Sequence, residues 1–148
     1  MGSHDDYGKQ VLRSASRGMV EDWGPPVEIY YHAGHAARID GVVDRNIAVE
    51  VESRVSKQVR GAVLDLLFHS CPKKLLILLP VHMSDVQATA AQCRYILSRW
   101  VNPADFRVVT LSGTGSAPEL DTDIVTVQNA LRELGFSIDH ATTIGGSS

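Results

Sequence analysis

RIDGVVDRNIAVEVE, residues 38–52, reads as a β-hairpin. With Asp44, Arg45 and Asn46 as a three-residue turn, Asp40 falls opposite Glu50 and Arg38 opposite Glu52. Side chains on a strand alternate between faces, so this register puts Asp40, Glu50 and Glu52 on one face. The other face then carries Ile39, Gly41 and Val43 against Val51, Val49 and Ile47, a core-facing pattern of period 2. Like charges directly across a strand pair cost some tenths of a kcal/mol or more, so Asp40 against Glu50 calls for a compensating cation. The simplest is a divalent metal.

Outward from the hairpin, helical and extended segments alternate. Tyr7 to Trp23 carries a helical stripe at Tyr7, Val11, Ala15, Met19 and Trp23, stopped by Gly24-Pro25-Pro26, and Val27 to Tyr31 reads as a strand. After the hairpin, Ser56 to His69 is a helix with Val59, Val63, Leu66 and Leu67 inward, ended by Pro72. The apolar run of Lys74 to Leu79 suits a strand covered on both faces, as in a parallel or mixed sheet. Ser84 caps a helix to about Val101, Phe106 to Leu111 is another buried strand, and Asp121 or Thr122 to Leu134 is the last helix. Gly135 closes that helix, and Phe136 to Ile138 adds a short edge strand. The order implies an α/β sandwich: an antiparallel hairpin, then strands joined by helical crossovers.

A chain of 148 residues, 44% hydrophobic and 21% charged, fits one soluble globular domain, because this size buries about 68–70% of the unfolded surface. We assign it to residues 5–140, with 141–148 a flexible tail and 1–4 (MGSH) a cloning remnant. Cys71 and Cys93 are too few for a disulfide framework or a CxxC metal site, which points to a reducing, cytoplasmic compartment. The longest apolar run, Leu75 to Val81, is too short to cross a membrane, and no charged leader with an apolar core precedes it. A net charge of −3 argues against a surface that is basic all round. Residues 53–64 nevertheless hold Arg54, Lys57 and Arg60 and no acid, a basic stripe directly after the acidic cluster; its bland alternative is a solvated helix face.

Asp40, nine intervening residues, then Glu50-Val51-Glu52 at a hairpin end, followed by a helix opening Lys57-Gln58, resembles the PD-(D/E)xK nuclease superfamily. The resemblance covers roughly residues 7–80. It implies a restriction endonuclease-like αβββαβ core, with a mixed β-sheet between helices. It makes Asp40 and Glu50 the metal-binding acids, with the Val51 carbonyl as a further ligand of Mg²⁺ or Mn²⁺. Glu52 stands where the family usually has lysine and cannot supply that positive charge. Some members carry Glu there, where it binds a second ion or acts as the base. Lys57 or Arg54 then delivers the cation from the next segment, Gln58 matches a helix glutamine, and Glu21 is a candidate for the extra acid some members place on the first helix.

The chemistry explains these residue types. A phosphodiester is an anion that repels hydroxide, and hard oxygen ligands hold an ion that offsets charge as the bond breaks. Arg54, Lys57, Gln58 and Arg60 then hold DNA, the basic groups contacting backbone phosphates without reading sequence.

Other candidates are weaker. His32 and His35 (HxxH) on a strand end point to opposite faces, which favours a surface or turn role. Ser112 to Ser116 (SGTGS) lacks the Gly-Lys-Ser/Thr of a phosphate loop and reads as a flexible loop. Cys93, Trp23 and Trp100 read as packing residues.

Three functions fit. The first is a metal-dependent DNA endonuclease, and the second a catalytically lapsed nuclease-like module that binds DNA or a partner protein. The third is an unrelated α/β ligand-binding domain, with its site near Gly113 and the hairpin carboxylates merely solvated. Cutting both strands of a duplex favours a homodimer. The stripe Val86, Ala90, Cys93, Ile96, Leu97 and Trp100 is the candidate interface, unless it only covers the sheet.

Overall fold

The structure, a computed structural model, describes residues 3–21, 30–32, 35–36, 38–54, 57–113 and 117–137. In chain order the elements are α1 (Ser3–Ala15), β1 (Val20–Glu21), β2 (Tyr30–His32), β3 (His35–Ala36), β4 (Gly41–Val43), β5 (Ile47–Glu52), α2 (Lys57–Phe68), β6 (Lys73–Leu78), α3 (Val86–Ser98), β7 (Phe106–Thr110) and α4 (Ala117–Glu133), with short 3-10 turns at Pro80–His82 and Pro103–Asp105. The main sheet runs β1-β4-β5-β6-β7. Its first three strands are antiparallel and β5, β6 and β7 are parallel, so the sheet is mixed. Among the described residues, no helix is long and apolar enough to cross a membrane.

The hairpin has the expected register: Gly41 pairs with Val49, Val42 with Ala48 and Val43 with Ile47 around the turn at Asp44, Arg45 and Asn46. Asp44 and Arg45 adopt φ of 54° and 53°, and Asn46 N–H closes the turn onto Val43 O at 3.0 Å.

Alternation on the central strands builds two cores. Val43, Ile47, Val49, Val51, Leu75, Ile77 and Leu79 face α1 and α4, where Val11, Leu12, Ala15, Val127, Ala130, Leu131 and Leu134 are buried. Val42, Ala48, Leu76, Leu78, Phe106 and Val108 face α2 and α3, meeting Val59, Ala62, Val63, Leu66, Ala90, Cys93 and Leu97. Each fully buried Leu, Ile or Val contributes about 1.5–3 kcal/mol. β5 is therefore covered on both sides, and Glu50 and Glu52 point into the α2 layer instead of lying on a solvated face.

Several expectations are corrected. The first helix stops at Ala15: Arg17 and Gly18 take φ of 50° and 77°, and Gly18 N–H returns to Arg13 O at 2.9 Å. The apolar stripe beyond it belongs to the turn and to β1, the third antiparallel strand. Glu21 thus lies on β1, 3.4 Å from Arg45, and not on a helix beside Asp40. The strand expected at Val27 to Tyr31 is β2, which pairs with β3 in a separate ribbon; residues 22–29, including Trp23, lie outside the described residues. Ile39 joins the α2/α3 core, not the opposite one, because the chain bends at Asp40 before entering β4. Asp85 caps α3 in place of Ser84, accepting from Ala88 N at 3.0 Å. Trp100 is 78% exposed and does not pack. Phe136 is buried at the end of α4 but adds no strand, while Ile138 lies outside the described residues.

Candidate functional site

The hairpin, the end of β5 and the first turns of α2 enclose a pocket of about 460 Å³. Arg38, Asp40, Glu50, Val51, Glu52 and Arg54 line its sheet side. Gln58, Gly61, Ala62 and Asp65 line its helix side at the 3- and 4-residue spacing of one helix face. The space exists because Gly61 and Ala62 are small, and a Cβ at Gly61 would meet nothing within 4 Å.

Asp40 and Glu50 are locked together. Asp40 N–H donates to Glu50 Oε1 at 2.9 Å, and Val51 N–H donates to Asp40 Oδ2 at 2.8 Å. The β4–β5 ladder is thus continued by side chains beyond Gly41. Glu52 O accepts from Leu79 N on the β6 side at 3.0 Å. Successive carbonyls alternate along a strand, so the Val51 carbonyl faces the β4 edge, where Asp40 sits.

Glu50 is only 8% exposed. Burial, and then the negative charges of Asp40 and Asp65, push its carboxyl far above the usual range, to about 10, although the Asp40 amide opposes this. Burial and the neighbouring acids both favour the protonated form of Glu50. Lys9 reaches in from α1, placing Nζ 3.5 Å from Asp40 Oδ1.

Glu52 is 4% exposed and accepts four N–H groups. Its Oε2 accepts from Ser53 N at 3.0 Å, Arg54 N at 2.9 Å and Arg54 Nε at 3.0 Å, and Oε1 accepts from Arg54 Nη2 at 3.1 Å. Among the described residues, no group of three or more His, Cys, Asp and Glu side chains is placed to hold a metal ion. The carboxylates that line the pocket are Asp40, Glu50, Glu52 and Asp65.

The pocket thus gathers Asp40, Glu50, Val51, Glu52, Arg54 and Gln58 from the sequence-derived set and adds Arg38, which the sequence placed only in the hairpin register. Lys57 and Arg60 are exposed on α2 and are not among its lining residues; Arg60 instead borders a groove of about 290 Å³ between α2 and α3. Sequence reasoning missed Lys9 and Asp65. Asp65 had a signal, since Gln58, Gly61, Ala62 and Asp65 share a helix face. Lys9 had none, because the sequence does not say which turn of α1 overhangs Asp40. The His32 and His35 side chains lie outside the described residues. In the SGTGS segment, Ser112 N and Gly113 N donate to Asp123 at 2.7 and 3.2 Å, and Thr114 to Ser116 lie outside the described residues. Comparison with protein-family models, with curated proteins and with solved structures found no match for this chain.

Proposed function

We propose that the chain is a metal-dependent endonuclease of the PD-(D/E)xK type that hydrolyses DNA phosphodiester bonds, with Asp40, Glu50 and the Val51 carbonyl as the ligands of Mg²⁺ or Mn²⁺. The observation that carries this reading is the Asp40–Glu50 pair inside the pocket, with the Asp40 N–H on the Glu50 carboxyl and the Val51 N–H on the Asp40 carboxylate. The donor set fits a hard cation: carboxylate and carbonyl oxygens, where a dipositive ion would also offset the repulsion that Asp40 and Asp65 exert on Glu50. When bound there, such an ion would act as a Lewis acid and offset charge on the phosphoryl oxygens.

The chain's own residues do the rest. The Val51 N–H fixes the Asp40 carboxylate, and the Asp40 N–H fixes that of Glu50. Arg38 and Arg54 border the same pocket and supply positive charge for a phosphate. Lys57 and Arg60 on the exposed side of α2 attract the DNA backbone outside the pocket. A homodimer would present two pockets to the two strands. Of the α3 stripe, Ala90, Cys93 and Leu97 are used by the sheet, which leaves Ile96 and Trp100 exposed as the apolar surface for a second copy. A cytoplasmic setting rests on Cys71 and Cys93, both free thiols.

The engagement of Glu52 by four N–H groups favours one second reading, a nuclease-like module that binds DNA without cutting it. One experiment decides between them. Plasmid, single-stranded and branched DNA are incubated with Mg²⁺ or Mn²⁺, beside the Glu50→Ala variant. Cleavage by the wild type that is lost in the variant supports the enzyme. Cleavage that survives the substitution marks a contaminant, and binding without cleavage supports the module.

A further inference from the structure

Resting on the phosphodiesterase reading, we propose that Glu52 is a positioning residue that presents the Arg54 guanidinium to the pocket as a binding group for a nucleic-acid backbone phosphate. The positive charge missing at position 52 is thereby delivered from position 54.

Glu52 is spent on this task. Glu52 accepts four N–H groups, three at Oε2 from Ser53 N, Arg54 N and Arg54 Nε, and one at Oε1 from Arg54 Nη2. This leaves it poorly suited to hold an ion or take a proton. Burying a carboxylate at 4% exposure is costly without a partner, and Arg54 is that partner.

The geometry is directional. Two parallel N–H···O bonds at 3.0 and 3.1 Å form a bidentate fork that sets the plane of the guanidinium. The Ser53 and Arg54 amides also fold back onto the same carboxylate, so Glu52 fixes the backbone that carries Arg54 as well as its tip. Glu52 is 5% exposed along its side chain, whereas Arg54 is 60% exposed and lines the pocket with Arg38. An arginine pre-oriented by a carboxylate suits the planar recognition of phosphate, and a lysine does not replace it.

The test is fluorescence anisotropy with end-labelled single-stranded and duplex DNA oligonucleotides in Ca²⁺, across a salt series, with thermal melts as folding controls. Arg54→Gln should weaken binding about fivefold or more and reduce the log–log salt slope by about one phosphate contact. Arg54→Lys should keep the slope and recover only part of the affinity. Glu52→Gln gives the sharper answer. Removing a negative charge beside a polyanion tightens binding if Glu52 has no positioning role; if it does, binding weakens toward that of Arg54→Gln, and the double variant is no weaker than Arg54→Gln alone. Arg54 is exposed, so its variants keep the test readable even where Glu52→Gln melts early. Wild-type affinity and slope in Arg54→Gln, or tighter binding by folded Glu52→Gln, overturns the proposal while the metal-dependent reading stands. A wild-type protein that binds neither oligonucleotide overturns both.

Discussion

Replacing Glu50 by glutamine is expected to stabilise the metal-free protein at neutral pH, by an amount that changes with pH in a defined direction. The Glu50 carboxyl is pushed from 4.5 to about 10, first by burial and then by Asp40 and Asp65. Between those values the folded chain keeps a proton that the unfolded chain has lost. The contribution of this group is therefore fully present below pH 4.5 and is lost as pH rises towards the folded value, by up to about 1.36 kcal/mol per pH unit. From 4.5 to 7 this amounts to about 3 kcal/mol, taken as an upper bound. The glutamine has no proton to lose. Its oxygen can keep the Asp40 N–H, and its amide can donate to the Asp40 carboxylate. At about 2–4 °C per kcal/mol, Tm at pH 7 should rise by several degrees, with the gap closing as pH approaches 4.5. Urea denaturation in EDTA at a series of pH values, on wild type and variant side by side, reads the difference directly. A difference that is flat with pH, or a wild type that gains on the variant as pH rises, refutes the protonated Glu50. Mg²⁺ should narrow the gap, because it would stabilise only the chain that keeps the acid.

The remaining predictions concern the surroundings of the pair. Lys9→Gln removes a cation 3.5 Å from Asp40 Oδ1 and should tighten Mn²⁺ binding about threefold or more at low salt, read by calorimetry. Glu52→Lys sets a second cation against Arg54 and strips the Ser53 and Arg54 amides of their acceptor; a loss of about 2–4 kcal/mol is expected in urea titration. Gly8→Ala should cost about 1–3 kcal/mol despite better helix propensity, because the new Cβ would sit on Val51 Cγ1 and 3.1 Å from Leu79 Cδ1. Asp123→Ala removes the acceptor of Tyr7 Oη at 2.6 Å and of Ser112 N at 2.7 Å from a carboxylate 1% exposed; it should cost about 3 kcal/mol, and Tyr7→Phe about 1 kcal/mol.

Local periodicity carried most of what the sequence disclosed. The alternation of 38–52 set the hairpin register, and the unbroken run of 75–79 announced a strand covered on both faces. The failures have particular causes. The stripe of the first helix runs on through Met19 and Val20, so only the left-handed turn at Arg17 and Gly18 separates helix from strand. Ser84 and Asp85 are adjacent capping residues, and the structure uses the second. Asp40 leaves strand geometry to bond Val51, which sends Ile39 to the other core. At the site, the acids lay on one hairpin and were legible from its register. Lys9 and Asp65 arrive from two helices on opposite sides of the sheet, and their approach depends on packing that no short-range pattern encodes.

Because the Val51 amide proton is held by a carboxylate oxygen and not by a peptide carbonyl, it is a built-in spectroscopic sensor. Its NMR shift should respond to whatever changes the charge on Asp40, and its exchange with solvent should slow when that carboxylate is held more firmly. The amides of Val49 and Ile47, deeper in the hairpin, serve as internal references. One backbone signal could thus follow occupancy of the pocket in the intact chain, with no dye, no substrate and no substitution.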